Sequence, residues 1–555
     1  MTDYNYRKYP TEPAIEMKKR RWPDNTIQKA PVWCSVDLRD GNQALIEPMT
    51  TAQKEQMFNM LVDVGFKEIE VGFPSASQPD YDFVRQLIDE DRVPDDVAIQ
   101  VLTQARPELI ERTFESLKGA KKAILHFYNS TSIVQREKVF ELDKAGITDI
   151  AVQAARLVKQ KIAEHPETDW MVEYSPESFT GTEMDYAVEI CNAVIDVFEP
   201  TPSHPMIINL PATVEMTTPN IYADRIEWFL DHINRREGIL LSIHTHNDRG
   251  CAVAAAELAV LAGADRIEGT VLGNGERTGN MDVVTMAMNL YSQGIDPTLD
   301  FSDMDRIVKC VKECTNLPVH PRHPYAGELV YTAFSGSHQD AIKKCLDKYT
   351  EGNTWEIAYL PIDPRDLGRT YQEVIRINSQ SGKGGVAYVV ENEYGMELPR
   401  WLQIDFSRVV QRWTETHATE ISSRQIWALF NEQYIDRQDP YHLKSYQLER
   451  TTEDTLSAVL GHHKDDVRIS GQGNGAINAF INALGSHLGV EIDILEYSEH
   501  ALSGGAEATA VAYVQAKCQD QRYCGVAMSE DILSASLNAV LSAVNQNLTQ
   551  MEKAA

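Results

Sequence analysis

The sequence from residue 31 to about residue 280 alternates short β-rich runs with amphipathic stretches of helical length. The β-rich runs lie at 32–38, 68–73, 98–103, 122–128, 171–174, 205–210, 239–244 and 265–271. The helix-length segments between them include 50–64, 106–118, 183–198, 219–234 and 250–262. Strands that alternate with helices at this spacing pair in parallel, and the helices cover the sheet. Eight such units in about 250 residues indicate a closed (β/α)8 barrel, or TIM barrel.

The main alternative for this pattern is an open, doubly wound parallel sheet. That fold uses fewer strands, and it usually carries a glycine-rich turn after the first strand, where a dinucleotide binds. Here the first predicted strand is followed by Arg39-Asp40-Gly41-Asn42, which is not a dinucleotide-binding fingerprint. We therefore predict the barrel.

Charge and hydropathy argue against several classes of function. The chain has 52 basic and 82 acidic residues, and its formal net charge of −30 repels nucleic acid. No apolar run approaches the roughly 18 residues that a membrane span needs. The basic residues at 18–21 are not followed by an apolar stretch, so they do not resemble a signal peptide. We predict a cytoplasmic protein with neither a nucleic-acid nor a membrane partner.

At 555 residues the chain is too long for a single hydrophobic core. The predicted divisions are an N-terminal extension over 1–30, the barrel over 31–305, helical subdomains over 306–435 and an α+β domain over 436–555. A weak internal repeat lies in the last of these. Stretches 475–481 and 531–544 each predict a helix of small residues after β-rich sequence. Two related β-β-α units of this kind would form a compact ligand-binding module.

Two histidines at the end of the seventh predicted strand indicate a metal site. His244 and His246 are two residues apart, so their side chains point to the same side of a strand. Asp40 follows the first predicted strand, and the carboxyl ends of barrel strands converge on the active site. Two imidazoles and one carboxylate can hold a divalent cation, and Asn280, beyond the eighth strand, can add a carbonyl oxygen.

Further polar residues are predicted at the same end of the barrel. Arg39, beside Asp40, is suited to countering an oxyanion or a carboxylate. Glu177, placed after the fifth predicted strand, is a candidate acid or base. His126 at the end of the fourth strand and Thr213 after the sixth are predicted to lie at the same face.

Three motifs carry a specific family resemblance. They are DLRDGNQ at 37–43, HTHNDRG at 244–250 and GNGERTGN at 273–280. Together they resemble the metal-dependent, Claisen-condensing barrel enzymes, and most closely the longer bacterial form of the 2-isopropylmalate synthase family. The resemblance extends through 173–178, 209–215, 334–338 and 359–364, and it spans roughly residues 31 to 550.

This resemblance implies the condensation of acetyl-CoA with 2-oxoisovalerate and water, which yields 2-isopropylmalate and CoA in leucine biosynthesis. It assigns a divalent metal, with Mg²⁺ preferred and Mn²⁺ or Zn²⁺ as alternatives, to Asp40, His244, His246 and Asn280. In the family the metal chelates the 2-oxo acid, and Arg39 stabilises the carbonyl oxygen as it gains negative charge. Thr213 would hold the substrate carboxylate, and His126 and Ser175 would line the same pocket.

The resemblance assigns the removal of a methyl proton from acetyl-CoA to Glu177, acting with His338 and Tyr359. The sequence does not decide which of the three is the base. His338 and Tyr359 follow the predicted barrel, and in the family they come from the partner subunit. The resemblance therefore implies a homodimer.

The C-terminal domain resembles the leucine-binding regulatory module of the family. Tyr497 and the small residues Ala501, Ala508 and Ala510 would leave space for a branched apolar side chain. Small residues also mark close packing, so each of these assignments has an alternative explanation. The resemblance implies feedback inhibition by leucine.

Three alternatives accompany this interpretation. Two histidines and one carboxylate also hold iron in oxygenases. A barrel that has lost its chemistry could serve as a leucine sensor, although the intact Arg39, Asp40, His244 and His246 favour an enzyme. Within the family, citramalate and homocitrate synthases differ in the pocket for the substrate side chain. The regulatory domain and the full-length resemblance favour 2-isopropylmalate synthesis.

Overall fold

The computed structural model describes residues 8, 15–17, 19–369, 383–417, 421–435, 437–450, 452–463, 465–502 and 509–554. The chain divides into two compact units. One comprises Met1–Val330 with Pro364–Arg369, and the other comprises Tyr331–Asp363 with Thr370–Ala555. The first unit contains a barrel, and the second contains helices and two small sheets.

The first unit is built around a closed barrel of eight parallel strands. The strands are β1 (Val32–Ser35), β2 (Glu68–Gly72), β3 (Ala98–Gln104), β4 (Lys122–Ser130), β5 (Asp169–Glu177), β6 (Met206–Ala212), β7 (Ile239–Thr245) and β8 (Arg266–Gly269). β1 pairs with both β2 and β8, which closes the barrel. The predicted TIM barrel is therefore confirmed.

Helices cover the outside of the barrel. They are α1 (Thr51–Val64), α2 (Gln78–Asp89), α3 (Pro107–Leu117), α4 (Lys144–Glu164), α5 (Met184–Phe198), α6 (Pro219–His232), α7 (Ala252–Leu261), α8 (Val283–Tyr291) and α9 (Met304–Thr315). Local sequence sets their ends. Before α1 the Thr50 hydroxyl accepts a hydrogen bond from the backbone N–H of Gln53, and Gly65 ends this helix with a φ of 113°.

The first strand ends earlier than predicted. The sequence suggested a strand to residue 38, but β1 stops at Ser35 and a single π-helical turn over Asp37–Gly41 follows. The side-chain oxygen of Asp37 accepts a hydrogen bond from the backbone N–H of Val271 (3.1 Å). Val271 follows the last strand of the barrel, so this contact fixes the turn to the other end of the barrel sequence. The Arg-Asp pair of the first motif lies on this turn, after the first strand as predicted.

The fourth and fifth strands are longer than predicted. β4 and β5 pair in parallel over their whole lengths, up to Ser130 and Glu177. His126 therefore lies in the middle of β4, not at its end, and Glu177 is the last residue of β5 rather than a residue after it. Hydrogen bonds between the two strands extend both of them, and this pairing is not visible in the pattern of either strand alone.

The second unit contains helices and two antiparallel sheets of three strands each. The helices are α10 (Gly336–Leu346), α11 (Lys383–Tyr394), α12 (Arg400–His417), α13 (Ser423–Tyr434), α14 (Ala476–Leu488) and α15 (Ile532–Ala554). The strands are β9 (Tyr441–Arg450), β10 (Asp454–His462), β11 (Asp465–Gly473), β12 (Ile492–Ala501), β13 (Ala510–Cys518) and β14 (Gln521–Ser529). The predicted helical region and C-terminal α+β domain are both confirmed. In the described residues of either unit, no helix has the length and apolar character needed to cross a membrane.

The internal repeat is larger than predicted. The sequence suggested two β-β-α units, whereas the structure shows two β-β-β-α units, β9–β11 with α14 and β12–β14 with α15. The strands β9 and β12 are mostly exposed or half-buried, so their hydrophobic signal is weak. One glycine in each unit allows a close approach of sheet and helix. A Cβ atom on Gly471 would clash with the carbonyl oxygen of Ala479, and one on Gly525 would clash with that of Ala539.

Candidate active site

A cavity of about 250 Å³ opens at the carboxyl ends of the barrel strands. The predicted site residues that line it are Arg39, Asp40, His126, Ser175, Glu177, Thr213, His244 and His246. These residues are far apart in sequence. The barrel brings them together because all of its parallel strands point to the same face.

Three side chains in this cavity converge in the manner of a metal centre. Asp40 Oδ2 lies 3.1 Å from His246 Nε2 and 3.5 Å from His244 Nε2. The ligand atoms of the three residues lie within 4.8 Å of one another, and all three residues are buried. A carboxylate oxygen and two imidazole nitrogens form a donor set for a divalent cation.

Asn280 provides independent evidence that these residues fit a cation. Its Nδ2 donates to the backbone carbonyl oxygen of Asn274 (3.0 Å), which orients the amide. Its Oδ1 is buried and accepts no hydrogen bond from the described residues. A β-bridge joins Asn280 to His246, so the amide belongs to the same region of the site. A buried oxygen without a donor costs free energy, and coordination to a cation would offset that cost.

The charge states of Asp40, His244 and His246 bear on how these side chains would bind a cation. Burial disfavours a charge on Asp40, but Arg39 and the two histidines hold the pKa of this carboxyl well below its usual range. Burial lowers the pKa of His246. At His244 burial is outweighed by the carboxylates of Asp40 and Glu268, which raise its pKa to about 9. A cation must displace a proton from the His244 imidazole, so we expect metal binding to depend on pH.

A second group of potential ligands lies inside the barrel, formed by His126, Glu173 and Glu268. This group already contains a cation, because Arg266 Nη1 lies 3.0 Å from Glu268 and 3.3 Å from Glu173. We therefore assign no metal to it. Charged side chains fill the barrel here, in place of the branched apolar residues that usually dominate such layers.

Arg39 is held by two buried carboxylates. Its Nη1 donates to Asp40 Oδ1 (2.7 Å), and its Nε donates to Oε2 of Glu70 on β2. The other oxygen of Glu70 accepts a hydrogen bond from His126 Nδ1 (2.9 Å). His126 Nε2 lies 2.7 Å from the hydroxyl oxygen of Ser175. Glu70, which was not predicted as a site residue, therefore orients both Arg39 and His126.

Glu177 and Thr213 are only partly buried within the cavity lining. The Ser130 hydroxyl donates to the Glu177 carboxylate. The Thr213 hydroxyl oxygen accepts a hydrogen bond from the backbone N–H of Ser178 (2.9 Å). This contact uses the oxygen of Thr213 and leaves its hydrogen free to be donated to a substrate.

His338 and Tyr359 belong to the second unit, where the structure brings them together. Their rings stack with centroids 3.9 Å apart and planes inclined by 19°. Tyr359 adopts a φ of 65°, in the left-handed region, and is 60% exposed. Backbone strain of this kind at a bulky residue is often associated with function.

Three of the four predicted regulatory residues, Tyr497, Ala501 and Ala510, lie on the sheet formed by β12, β13 and β14. Tyr497 and Ala501 share one face of β12, because they are four residues apart on a strand, and Ala510 is the partner of Ala501 on β13. The Tyr497 hydroxyl lies 2.7 Å from Oγ of Ser536 on α15. Ala508 lies outside the described residues.

Several residues of the cavity lining were not predicted from the sequence. They are Gln43, Phe73, Leu102, Tyr128, Asn209, Pro211, Glu276 and Arg277. Three of them, Gln43, Glu276 and Arg277, lie within the first and third motifs of the family resemblance. Their place in these motifs could have identified them as site residues. Phe73 and Leu102 could not have been found, because an apolar residue near a strand end is usually part of the core.

The chain is similar to known proteins over nearly its whole length. It is 56% identical over 550 residues to the 2-isopropylmalate synthase of Parafrankia sp. (strain EAN1pec), which covers 97% of each chain. It is 55% identical over 545 residues to the 2-isopropylmalate synthase of Alcanivorax borkumensis, which covers 98% of each. The enzyme of the same name from Clostridium acetobutylicum is 52% identical over 554 residues, covering 98% of this chain and 99% of the relative.

Three protein families match successive parts of the chain. The HMGL-like family matches residues 30–311, the alpha-isopropylmalate synthase post-catalytic domain-like family matches 328–391, and the LeuA allosteric (dimerisation) domain matches 420–548. The chain belongs to the 2-isopropylmalate synthase family. Enzymes of this family are acyltransferases, so the resemblance drawn from the motifs is confirmed, and the oxygenase and sensor alternatives are disfavoured.

The buried carboxyl group of Asp37 should make the stability of this member of the 2-isopropylmalate synthase family depend on pH. Burial raises its pKa from 3.8 to about 7, against the hydrogen bonds from Ser35 and the Val271 backbone. The folded state therefore favours the neutral carboxyl of Asp37. The contribution of this preference to the unfolding free energy is fully present below the unfolded pKa of 3.8, and it is lost as the pH rises through about 7. Asp37→Asn removes the charge and keeps an acceptor for Val271. Between pH 5 and pH 8 we expect this variant to gain about 1–3 kcal/mol in unfolding free energy relative to the natural chain.

Thermal unfolding of both chains at the two pH values measures this difference. Asp185→Asn, at an exposed position of α5, is the matched control for the substitution itself. If the difference between Asp37→Asn and the natural chain stayed constant with pH, the buried neutral carboxyl would be refuted.

Proposed function

We propose that the chain condenses acetyl-CoA with 2-oxoisovalerate and water to give 2-isopropylmalate and CoA, as a step of leucine biosynthesis. The observation that carries this proposal is the convergence of Asp40, His244 and His246 beside Arg39 in one cavity, with Asn280 bridged to His246. The relatives named 2-isopropylmalate synthase support the identity of the product.

The proposed ligands of a divalent cation are Asp40, His244, His246 and Asn280, with Mg²⁺ preferred and Mn²⁺ or Zn²⁺ as alternatives. When bound, the cation supplies Lewis-acid polarisation of the keto group. Arg39 would donate to the same keto oxygen as it becomes an alkoxide. Because Asp40 and Glu70 already hold the guanidinium, this donor needs no reorganisation during the reaction.

The remaining cavity residues provide contacts for the 2-oxo acid. The free hydrogen of the Thr213 hydroxyl would be donated to the substrate carboxylate. His126 and Ser175 are hydrogen-bonded to each other, so they leave little unpaired polarity on their side of the pocket. Leu102 and Pro211 line the same cavity. Leu102, Pro211 and the paired His126 and Ser175 would favour binding of the isopropyl group of 2-oxoisovalerate over binding of a charged side chain.

We assign the removal of a methyl proton from acetyl-CoA to Glu177, acting with His338 and Tyr359. The Glu177 carboxylate lines the cavity and accepts a hydrogen bond from Ser130. The stacked His338 and Tyr359 offer an imidazole and a phenol that can hold or pass a proton. In the proposed homodimer this pair serves the cavity of the partner subunit, and the LeuA allosteric (dimerisation) domain supports the dimer.

We propose that leucine inhibits the enzyme by binding to the C-terminal domain. The LeuA allosteric (dimerisation) domain match supports this proposal, and Tyr497, Ala501, Ala508 and Ala510 are the candidate contacts. Saturating leucine is expected to lower turnover, with isoleucine as the control ligand. Unchanged turnover would end the regulatory proposal and leave the catalytic one intact.

Release of free CoA thiol from acetyl-CoA, measured with a panel of 2-oxo acids and added divalent metal, tests the reaction. We expect release to be fastest with 2-oxoisovalerate. It should be lost in Asp40→Ala and kept in Asp185→Ala, a control at an exposed position of α5. Faster release with pyruvate or 2-oxoglutarate would preserve the mechanism and replace the substrate. Absence of release with every acid would contradict the synthase.

A further inference from the structure

The two histidines of the proposed metal centre are oriented by different kinds of group. His246 Nδ1 lies 3.3 Å from the backbone carbonyl oxygen of Ala212. His244 Nδ1 lies 2.9 Å from Oε2 of Glu268. His244 and Glu268 are register partners on the adjacent strands β7 and β8, so both side chains point into the barrel. Of the two histidines, His244 is therefore the one whose orientation depends on a replaceable side chain.

Glu268 is held through both of its carboxylate oxygens. Oε2 accepts hydrogen bonds from His244 Nδ1 and Asn209 Nδ2 (3.2 Å). Oε1 accepts from Arg266 Nη1 (3.0 Å) and Gln100 Nε2 (2.9 Å). Glu268 and its four partners are all buried. The carboxylate cannot turn away from His244 without breaking contacts on its other side.

The contact with Glu268 decides which nitrogen of His244 can bind a cation. A carboxylate only accepts, so Nδ1 carries the hydrogen and donates it. A cation would then displace the second ring proton from Nε2, which lies 3.5 Å from Asp40 Oδ2 on the side of the other ligand candidates. A carboxylate behind a metal-binding histidine orients the ring and strengthens the nitrogen as a ligand.

We infer that Glu268 is a positioning residue that sets the affinity of the enzyme for its divalent cation. The inference rests on the proposed function, because it concerns the proposed metal centre. Arg266 anchors the far side of Glu268 and is itself fixed, since it also donates to Ser242 Oγ (2.8 Å) and Gln100 Oε1 (2.7 Å). The charged side chains inside the barrel thus form a rigid support for one metal ligand.

Glu268→Gln tests this inference, because an amide cannot accept from four donors. If its oxygen faces His244, its NH2 group meets the donors of Arg266 and Gln100. If the amide is turned round, His244 loses its acceptor. We expect the dissociation constant for Mn²⁺ to rise about 10- to 100-fold. A higher Mn²⁺ concentration should recover most of the turnover, whereas a merely structural defect would not respond to metal.

Glu173→Gln is the matched control. Glu173 belongs to the same buried group as Glu268 and lies 3.3 Å from Arg266 Nη1. Burial and the Glu268 carboxylate raise the pKa of Glu173 well above its usual range, against the charge of Arg266. Neither carboxyl oxygen of Glu173 has a hydrogen-bond partner among the described residues. Glutamine keeps the shape of the side chain, so we expect Mn²⁺ affinity within about threefold of the natural chain.

Calorimetric titration of the metal-free, full-length enzyme with Mn²⁺ measures affinity independently of turnover. Asp40→Ala serves as the reference for a chain without the centre. Equal binding by the natural chain and Asp40→Ala would overturn the proposed metal centre itself. The role of Glu268 is tested only if the natural chain binds Mn²⁺ more tightly than Asp40→Ala does. In that case, unchanged Mn²⁺ affinity in Glu268→Gln would overturn the role of Glu268 and leave the metal centre intact. Mn²⁺ binding weakened equally in Glu173→Gln and Glu268→Gln would do the same.

A second variant keeps the inference testable if Glu268→Gln does not fold. Glu268→Asp retains the negative charge beside Arg266 and withdraws the carboxylate from His244. We expect weakened Mn²⁺ binding in this variant, with recovery of turnover at high metal concentration. Natural affinity in a folded Glu268→Asp would refute the inference.

Discussion

Arg39→Lys is expected to lower kcat for CoA release by about 10²- to 10³-fold at saturating metal and substrates. The guanidinium of Arg39 joins two buried carboxylates, with Nη1 on Asp40 (2.7 Å) and Nε on Glu70. Lysine presents a single ammonium on a flexible chain. It cannot serve both carboxylates and the keto oxygen of the substrate in one fixed geometry. The variant keeps the charge, so the loss measures the placement of the donors.

Steady-state release of CoA thiol measures this effect, and thermal unfolding shows whether the variant is folded. Arg156→Lys, at an exposed position of α4, is the control and is expected to behave as the natural chain. A folded Arg39→Lys whose kcat stayed within about threefold of the natural value would exclude Arg39 as the group that stabilises the oxyanion.

Mixing two inactive variants, Asp40→Ala and His338→Ala, is expected to restore activity. In the proposed homodimer each active site combines the barrel of one subunit with the His338–Tyr359 pair of the other. A mixed dimer then has one site with both substitutions and one site with neither. Random exchange of subunits at equal amounts makes half of the dimers mixed, so about a quarter of the natural activity should return.

Co-expression or subunit exchange followed by the CoA-release assay measures this recovery. Asp40→Ala mixed with Arg39→Lys is the matched control, because both residues line the cavity of one barrel. No mixed dimer of that pair contains an intact site, so no recovery is expected. If the mixture of Asp40→Ala with His338→Ala also stayed inactive, His338 would have to act within its own chain or outside the reaction.

The convergence of the proposed metal ligands could be predicted from sequence for a simple geometric reason. Alternation of strands and helices specifies parallel pairing, and the parallel strands of a closed barrel end on one face. Asp40 and His246 are 206 positions apart in the chain, yet their ligand atoms lie 3.1 Å apart. The two-residue spacing of His244 and His246 requires only the geometry of a single strand.

The extents of the strands were less predictable because pairing partners set them. β1 ends before residue 38, since the hydrogen bond between Asp37 and Val271 holds a turn there. β4 and β5 lengthen each other by pairing end to end. The strands β9 and β12 escaped detection in the repeat because most of their side chains are not buried, which leaves little hydrophobic alternation to recognise.

Local periodicity was thus sufficient to predict the barrel, and the positions of polar residues at strand ends were sufficient to predict the candidate ligands at its mouth. The family followed from the resemblance of the motifs. The partners of the buried charges emerged only from the folded chain. Glu70 orients Arg39 and His126, and Glu268 orients His244. A glutamate in a strand normally indicates an exposed position, because carboxylates are rarely buried without a partner. Which partners meet depends on the side chains that face one another inside the closed barrel, and no local pattern encodes that arrangement.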